Sequence, residues 1–380
     1  MAAGATEREG EFGAEAAAAA LPAAVAKRRG ARAVRIARGG ARALLVAAGL
    51  ALFVIALDAM KTGAAGARPY LERLDVGGPV NALGFGWLFA YFVLSGSPVA
   101  ATSVSLLAGG AFSPEESFAA IAGSRLGASF IVLAVGFLLY LRGRRSPDGL
   151  AVGVIALLVT YTTQGPALLL GLLSLERGWL DPIRFDTPAS VTSLADAALG
   201  WAADAVAARL PDLGVLVAGV LLLLASFSVF DRALPQLEAE AEGIRRVFRA
   251  LERRPLMFIM GVLVTLTTMS VSLSVTVLVP LALKGYIRRE HVIPYVMGAN
   301  IATFIDTLVA AVLLGGDVAF IVVLNEMVWV AVVSLTLLLA AYGPYRTLIL
   351  GTARWVTARP SHLAAFLAAI VAVPLLFLAL

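Results

Sequence analysis

The sequence has no cysteine, only two histidines, and charged residues at just 14% of its 380 positions. The first absence excludes disulfides and thiolate metal sites. The histidines, His291 and His362, stand at the edges of apolar runs and read as interfacial residues rather than metal ligands. A phosphate-cradling Gly-Lys loop, a His-rich metal motif and a Ser/His pairing inside the apolar segments are all missing, so neither a hydrolytic nor a phosphotransfer enzyme is expected, and no cofactor is implied. The shortage of charge is the most restrictive feature. With 60% hydrophobic residues, a mean hydropathy of +0.90 and apolar runs of about 18 to 25 residues, the chain belongs in a lipid bilayer. Long Leu/Val/Ala runs without strict alternation select helices over a barrel, so the expected class is an all-α polytopic membrane protein.

The net charge of +5 does not point to nucleic acid, because the basic residues cluster in loops beside hydrophobic runs, as positive-inside topology requires. Residues 1–42 are rich in Ala, Gly and charge and end in Lys27, Arg28, Arg29, Arg32, Arg35, Arg38 and Arg42, the pattern of a disordered or weakly helical cytoplasmic tail. A cleaved signal peptide is the alternative for this basic region and the apolar run 43–57, although later features need that run as a span. Full-length spans are expected at roughly 115–141, 150–173, 213–230, 291–314, 318–341 and 361–380. Two further stretches, 80–110 and 255–284, are broken near their middles by Ser, Gly or Pro and have about the length of a hairpin that enters and leaves on one side. With the tail inside, Arg142, Arg144 and Arg145, the run from Arg245 to Arg254, and Arg346, Arg354 and Arg359 all fall on the cytoplasmic side of a plasma-membrane protein. The acidic loop between Glu176 and Asp212 falls outside.

Sliding the chain by 175 residues aligns the two broken segments and the spans after them without a gap. Ser95 meets Ser270, Ser97 meets Ser272, and Gly86, Gly110, Glu115 and Gly123 meet Gly261, Gly285, Glu290 and Gly298. Upstream, LFVIALDAM resembles SFSVFDRAL, with Asp58 opposite Asp231 at a slightly shorter offset. The resulting organisation is a first repeat over 43–141, a connecting span and extracytoplasmic loop over 142–212, a second repeat over 213–316 and two C-terminal spans over 317–380. A single span between the halves turns the second one over, so about seven full spans and two re-entrant hairpins form two inverted repeats, a transporter signature.

The stretch MSVSLSVTVLVPLALKGYIRREHVIPYVMGANIATFIDTLVAA resembles the sodium/phosphate cotransporter family, whose repeats each carry a QSSS signature followed by a GANIGT-like motif. Met269 to Ser272 stand at the QSSS positions, Thr276 and Pro280 fit the pattern beyond them, and Gly298 to Thr303 match five of the six GANIGT positions. The first half matches more loosely, with Leu94 to Ser97 at QSSS and GSRLGA over 123–128. The resemblance spans about residues 43–316 and implies Na⁺-coupled symport of phosphate or a related oxyanion. The family's Gln is absent from both copies, each middle Ser is replaced, and Arg125 stands where the first Asn would be. Other readings therefore stay open: another anion, proton coupling, or a degenerate homologue without transport.

The residues themselves suggest a small-anion site. A re-entrant tip leaves N–H groups without helical partners and aims a helix N-terminus at the midplane, so Ser95, Ser97, Ser270 and Ser272 are expected to donate to an oxyanion. The bland alternative is that small residues permit close helix packing. Arg125 falls about ten residues into its span, about 15 Å deep, and needs a partner there: a substrate anion, or an acid such as Asp306 or Glu326. Asn300, Thr303 and Thr307 share one helical face with Asp306 beside them. With Thr276, these oxygens are candidates for the coupling ion Na⁺, the alternative being hydrogen bonding between helices. Gln164 and Asn325 read as groups that bind neighbouring helices. The expected partners are a small inorganic anion, Na⁺, the bilayer and, as one option, a second copy in a homo-oligomer.

Overall fold

The computed structural model describes residues 40–73, 76–141, 147–183, 199–233, 253–314 and 316–380. The expected tail, the Arg142–Arg145 loop, most of the acidic loop and the basic run before Arg253 lie outside the described residues. Within them the chain is all-helical, without a strand. Seven helices are long and apolar enough to cross a membrane: Gly40–Arg73, Pro114–Leu138, Gly149–Glu176, Asp212–Ala233, Arg289–Leu313, Asp317–Leu339 and Pro360–Ala379. The first is packed as an integral element. Phe53 meets Phe227 edge-on at 5.9 Å and Ser226 donates to the Gly49 carbonyl at 2.8 Å, so the two upstream helices of the proposed halves lie against each other.

The two broken stretches form helix, break, helix. The first comprises Pro79–Val93 and Ser97–Ala108; the second comprises Arg254–Thr268 and Val271–Leu283. No arm reaches the roughly 20 residues a span needs. Each first arm opens with a Pro in its first turn, where the missing N–H costs nothing. Each ends on a residue in the left-handed region, Leu94 at φ 57° and Met269 at φ 48°. A non-Gly residue pays strain there, yet these two stand 175 positions apart. Gly110 and Gly285, at φ 74° and 72°, close the second arms at the same spacing.

The glycine matches have a packing cause. Pro79–Val93 packs chiefly on Pro114–Ala128, and Arg254–Thr268 packs on Arg289–Ala302. A Cβ on Gly86 would strike the Ala120 carbonyl, and one on Gly123 the Leu83 carbonyl. Gly261 and Gly298 stand in the same way against the carbonyls of Tyr295 and Phe258. All four positions obey the same offset, because both seams bring backbones together as small residues allow.

Proline inside a helix frees the carbonyl four residues earlier, which lipid cannot satisfy. Pro374 frees Ile370, and the Tyr91 hydroxyl donates to that carbonyl at 2.8 Å. Pro294 frees Glu290, and the Tyr342 hydroxyl donates there at 2.9 Å. The first bond, with Asn81 donating to the Leu378 carbonyl at 3.3 Å, fixes the C-terminal helix to the first broken stretch. The second fixes Tyr342–Ala358, a helix absent from the expected spans, whose Arg346 also pairs with Glu290 at 2.8 Å.

Candidate functional site

The breaks meet. Ser95, Gly96 and Ser97 from one and Ser270, Val271 and Ser272 from the other line a single cavity together with Arg125, Ala128, Asn300 and Thr303. Seven of the ten anion- and ion-site candidates singled out from the sequence thus line the same space. Its volume is about 10 Å³, room for roughly one water. Ser270 caps its helix, its Oγ accepting from the Leu273 N–H at 3.3 Å, and both second arms begin at the cavity. First-turn N–H groups and the positive ends of two helix dipoles therefore converge there.

Arg125 is 5% exposed and enters from the span after the first hairpin. Its guanidinium donates to the Thr303 hydroxyl at 3.1 Å and the Thr307 hydroxyl at 2.6 Å, lies 3.8 Å from an Asp306 oxygen, and sits over the Phe304 ring at 4.8 Å. Thr307 in turn donates to Asp306 at 2.8 Å. The helix running through Thr303, Phe304, Asp306 and Thr307 thus supplies a hydroxyl, a ring face, a carboxylate and a second hydroxyl to one cation. Arg125 Nε and Asp306 Oδ2 are nevertheless buried without a hydrogen-bond partner. Of the two acids considered for Arg125, Asp306 is the one in ion-pair contact.

Asn300 faces the cavity and donates to the Thr160 hydroxyl at 3.1 Å, which joins the connecting span Pro147–Glu176 to the site. Thr160 was not anticipated; a lone Thr in an apolar run looks like one that only bonds back to its own helix, as Thr160 also does to the Ala156 carbonyl at 2.9 Å. Asp306 does not line the small cavity. It lines a neighbouring one of about 70 Å³ with Thr265, Leu266, Met269, Ala302, Ile305 and Thr303, the last common to both. Thr276 lines neither. Pro280 cannot donate to the Thr276 carbonyl, and the second arm is interrupted there, between Val271–Thr276 and Leu278–Leu283.

Asn325 donates to the Gly171 carbonyl at 2.7 Å, as a group binding a neighbouring helix should, whereas both polar atoms of the buried Gln164 lack a partner. No family model, no curated protein and no solved structure matches the chain.

Proposed function

We propose that the chain is a secondary transporter of a small inorganic oxyanion, phosphate first, coupled to Na⁺ in symport. In this reading the two helix-break-helix segments are re-entrant hairpins of inverted repeats, and the substrate binds between their tips. The observation that carries it is the convergence of two serine-bearing breaks, 175 positions apart, on one buried cavity that also receives an arginine. Helix N-termini, serine hydroxyls and a guanidinium are the donor set a tetrahedral oxyanion needs. The resemblance to the sodium/phosphate cotransporters supports the same substrate, and the paired left-handed residues and glycine seams support the duplication.

Binding has a structural requirement. A cavity of about 10 Å³ does not hold an oxyanion, so the tips must part and Arg125 must give up part of its hold on Thr303, Thr307 and Asp306. An anion that draws Arg125 away leaves Asp306 short of a counter-charge, which a cation can supply in the 70 Å³ cavity at Thr303. This links the two ligands through one side chain and makes their binding mutually favourable.

The test is radiolabelled phosphate uptake into proteoliposomes with and without a Na⁺ gradient. Na⁺-stimulated uptake is expected, together with thermal stabilisation by phosphate that requires Na⁺. A single Ser270→Ala or Ser272→Ala removes one neutral donor, worth about 0.5 to 1.5 kcal/mol or roughly two- to tenfold in affinity. The double variant should lose transport strongly while staying folded. The partners Arg125 already holds in Thr303, Thr307 and Asp306 favour a second reading, a homologue retained for assembly without transport. Absence of Na⁺-stimulated uptake of phosphate, sulfate or arsenate selects it.

A further inference from the structure

Glu326 plays no part in the site described so far. It is the tenth residue of Asp317–Leu339 and is 0% exposed, with neither carboxylate oxygen in a hydrogen bond. The charge that acts on it is Arg125, which is already in contact with Asp306. One guanidinium against two carboxylates leaves one negative charge uncompensated at a fully buried position. Such a group acquires a cation or is not ionised.

We propose that Glu326 is a proton-binding site, occupied in the closed arrangement described here. The proton forms an O–H bond on one carboxylate oxygen and comes from bulk water. This goes beyond the transport reading and does not depend on it. A metal cation fits poorly at Glu326, because a hard ion needs several oxygens around it and no hydroxyl stands within hydrogen-bonding distance of this carboxylate. No cluster of three metal-ligating side chains occurs among the described residues.

The helices packed against Asp317–Leu339 offer no other compensating charge. Pro114–Ala128 brings Arg125, with Glu115 and Glu116 in its first turn. Phe304–Leu313 brings Asp306, and Ser97–Ala108 brings no titratable group. Pro147–Glu176 carries Asp148 and Glu176 at its two ends and Tyr161, whose hydroxyl meets Tyr91. Arg289, Glu290 and His291 stand in the first turn of Arg289–Ala302, and its Tyr295 bonds Ser274. On Tyr342–Ala358, Arg346 pairs with Glu290, Arg354 bonds its own helix, Tyr342 bonds the Glu290 carbonyl and Tyr345 meets Thr162. Asp317 is the first residue of Glu326's own helix.

The test is infrared spectroscopy of the full chain in lipid nanodiscs, with ¹³C-labelled glutamate to separate Glu from Asp and without any added anion. At neutral pH a protonated carboxyl band equivalent to one glutamate is expected, shifted by the label and lost in Glu326→Gln. Asp306→Asn frees Arg125 to pair with Glu326 and should convert that band to carboxylate, a result that holds even where Glu326→Gln fails to fold. A wild-type spectrum without the band, or a band untouched by both substitutions, overturns the proposal. Conversion of the band by Na⁺ at constant pH overturns it too, since the cation taken up would then be the metal. Failure of phosphate uptake bears only on the transport reading and leaves this result standing.

Discussion

The first hairpin's outer arm, Pro79–Val93, is pinned from behind by the C-terminal helix, with Tyr91 and Asn81 bonded to it and Gly84 pressed on the backbone near Pro374. The corresponding arm of the second hairpin, Arg254–Thr268, turns Ile259, Leu263 and Leu266 outward. The inner arms differ in the same sense: Ser97–Ala108 is one continuous helix, whereas its counterpart is interrupted before Leu278. Equal seams at the glycines thus sit in unequal surroundings. The first break is held like a fixed wall, and the second has fewer restraints. Local opening is therefore expected first in the second broken stretch, the less constrained region of the two.

The largest expected effect concerns the arginine that joins the two halves. Arg125→Ala leaves Asp306 buried without its partner and should destabilise the fold by about 3 to 5 kcal/mol. Adding Asp306→Asn should recover part of that loss, as read by thermal unfolding in detergent; no recovery would show that the halves are not joined through this pair. Next come the seams. Gly86→Val and Gly261→Val each force a side chain against a backbone carbonyl and should cost about 1 to 3 kcal/mol or more. Similar losses mean that the hairpins are equivalent at their seams, and a much smaller loss for Gly261→Val means that the second seam yields.

Much of this was legible in the sequence because close approaches recur at the same 175-residue spacing as the residues that permit them. The matched serines and glycines are small residues at places where backbones touch, and a 175-residue slide finds them directly. The need of Arg125 for a negative partner, a substrate anion or an acid, was legible from its depth alone. Its choice of Asp306 was not, since Glu326 satisfied the same requirement and only the packing of three helices separates them. Thr276 was misplaced relative to the cavity because it lies a full turn beyond Ser272, deeper in the arm. The helix Tyr342–Ala358 escaped notice because its basic residues and its Gly343-Pro344 start resemble a loop.

Two smaller effects sharpen the contrast between the hairpins. Pro280→Ala returns an N–H to the Thr276 carbonyl and should stabilise the second hairpin by about 0.5 to 1.5 kcal/mol, slowing amide exchange around Ser272 to Val279. Unchanged exchange there would remove the interruption as the source of freedom. Tyr91→Phe removes the bond to the Ile370 carbonyl and the acceptor of the Trp87 indole N–H, and should cost about 1 to 2 kcal/mol, with exchange rising in Pro360–Ala379 and unchanged in Arg254–Thr268. Exchange rising equally in both would mean that the C-terminal helix braces the whole molecule.

The hydroxyl that meets the Ile370 carbonyl also bears on assembly. Greasy helices in lipid have little to tell them how far to slide along one another, since one leucine rung resembles the next. A carbonyl uncovered by Pro374 is an exception, a single notch at a single depth, and Tyr91 is the pawl that drops into it. Pro360–Ala379 therefore docks onto a segment made 279 residues earlier, and the ratchet has one stop. A chain lengthened by one residue between Pro360 and Ile370 would carry that notch about 1.5 Å and 100° away, leaving a correctly inserted helix that cannot lock.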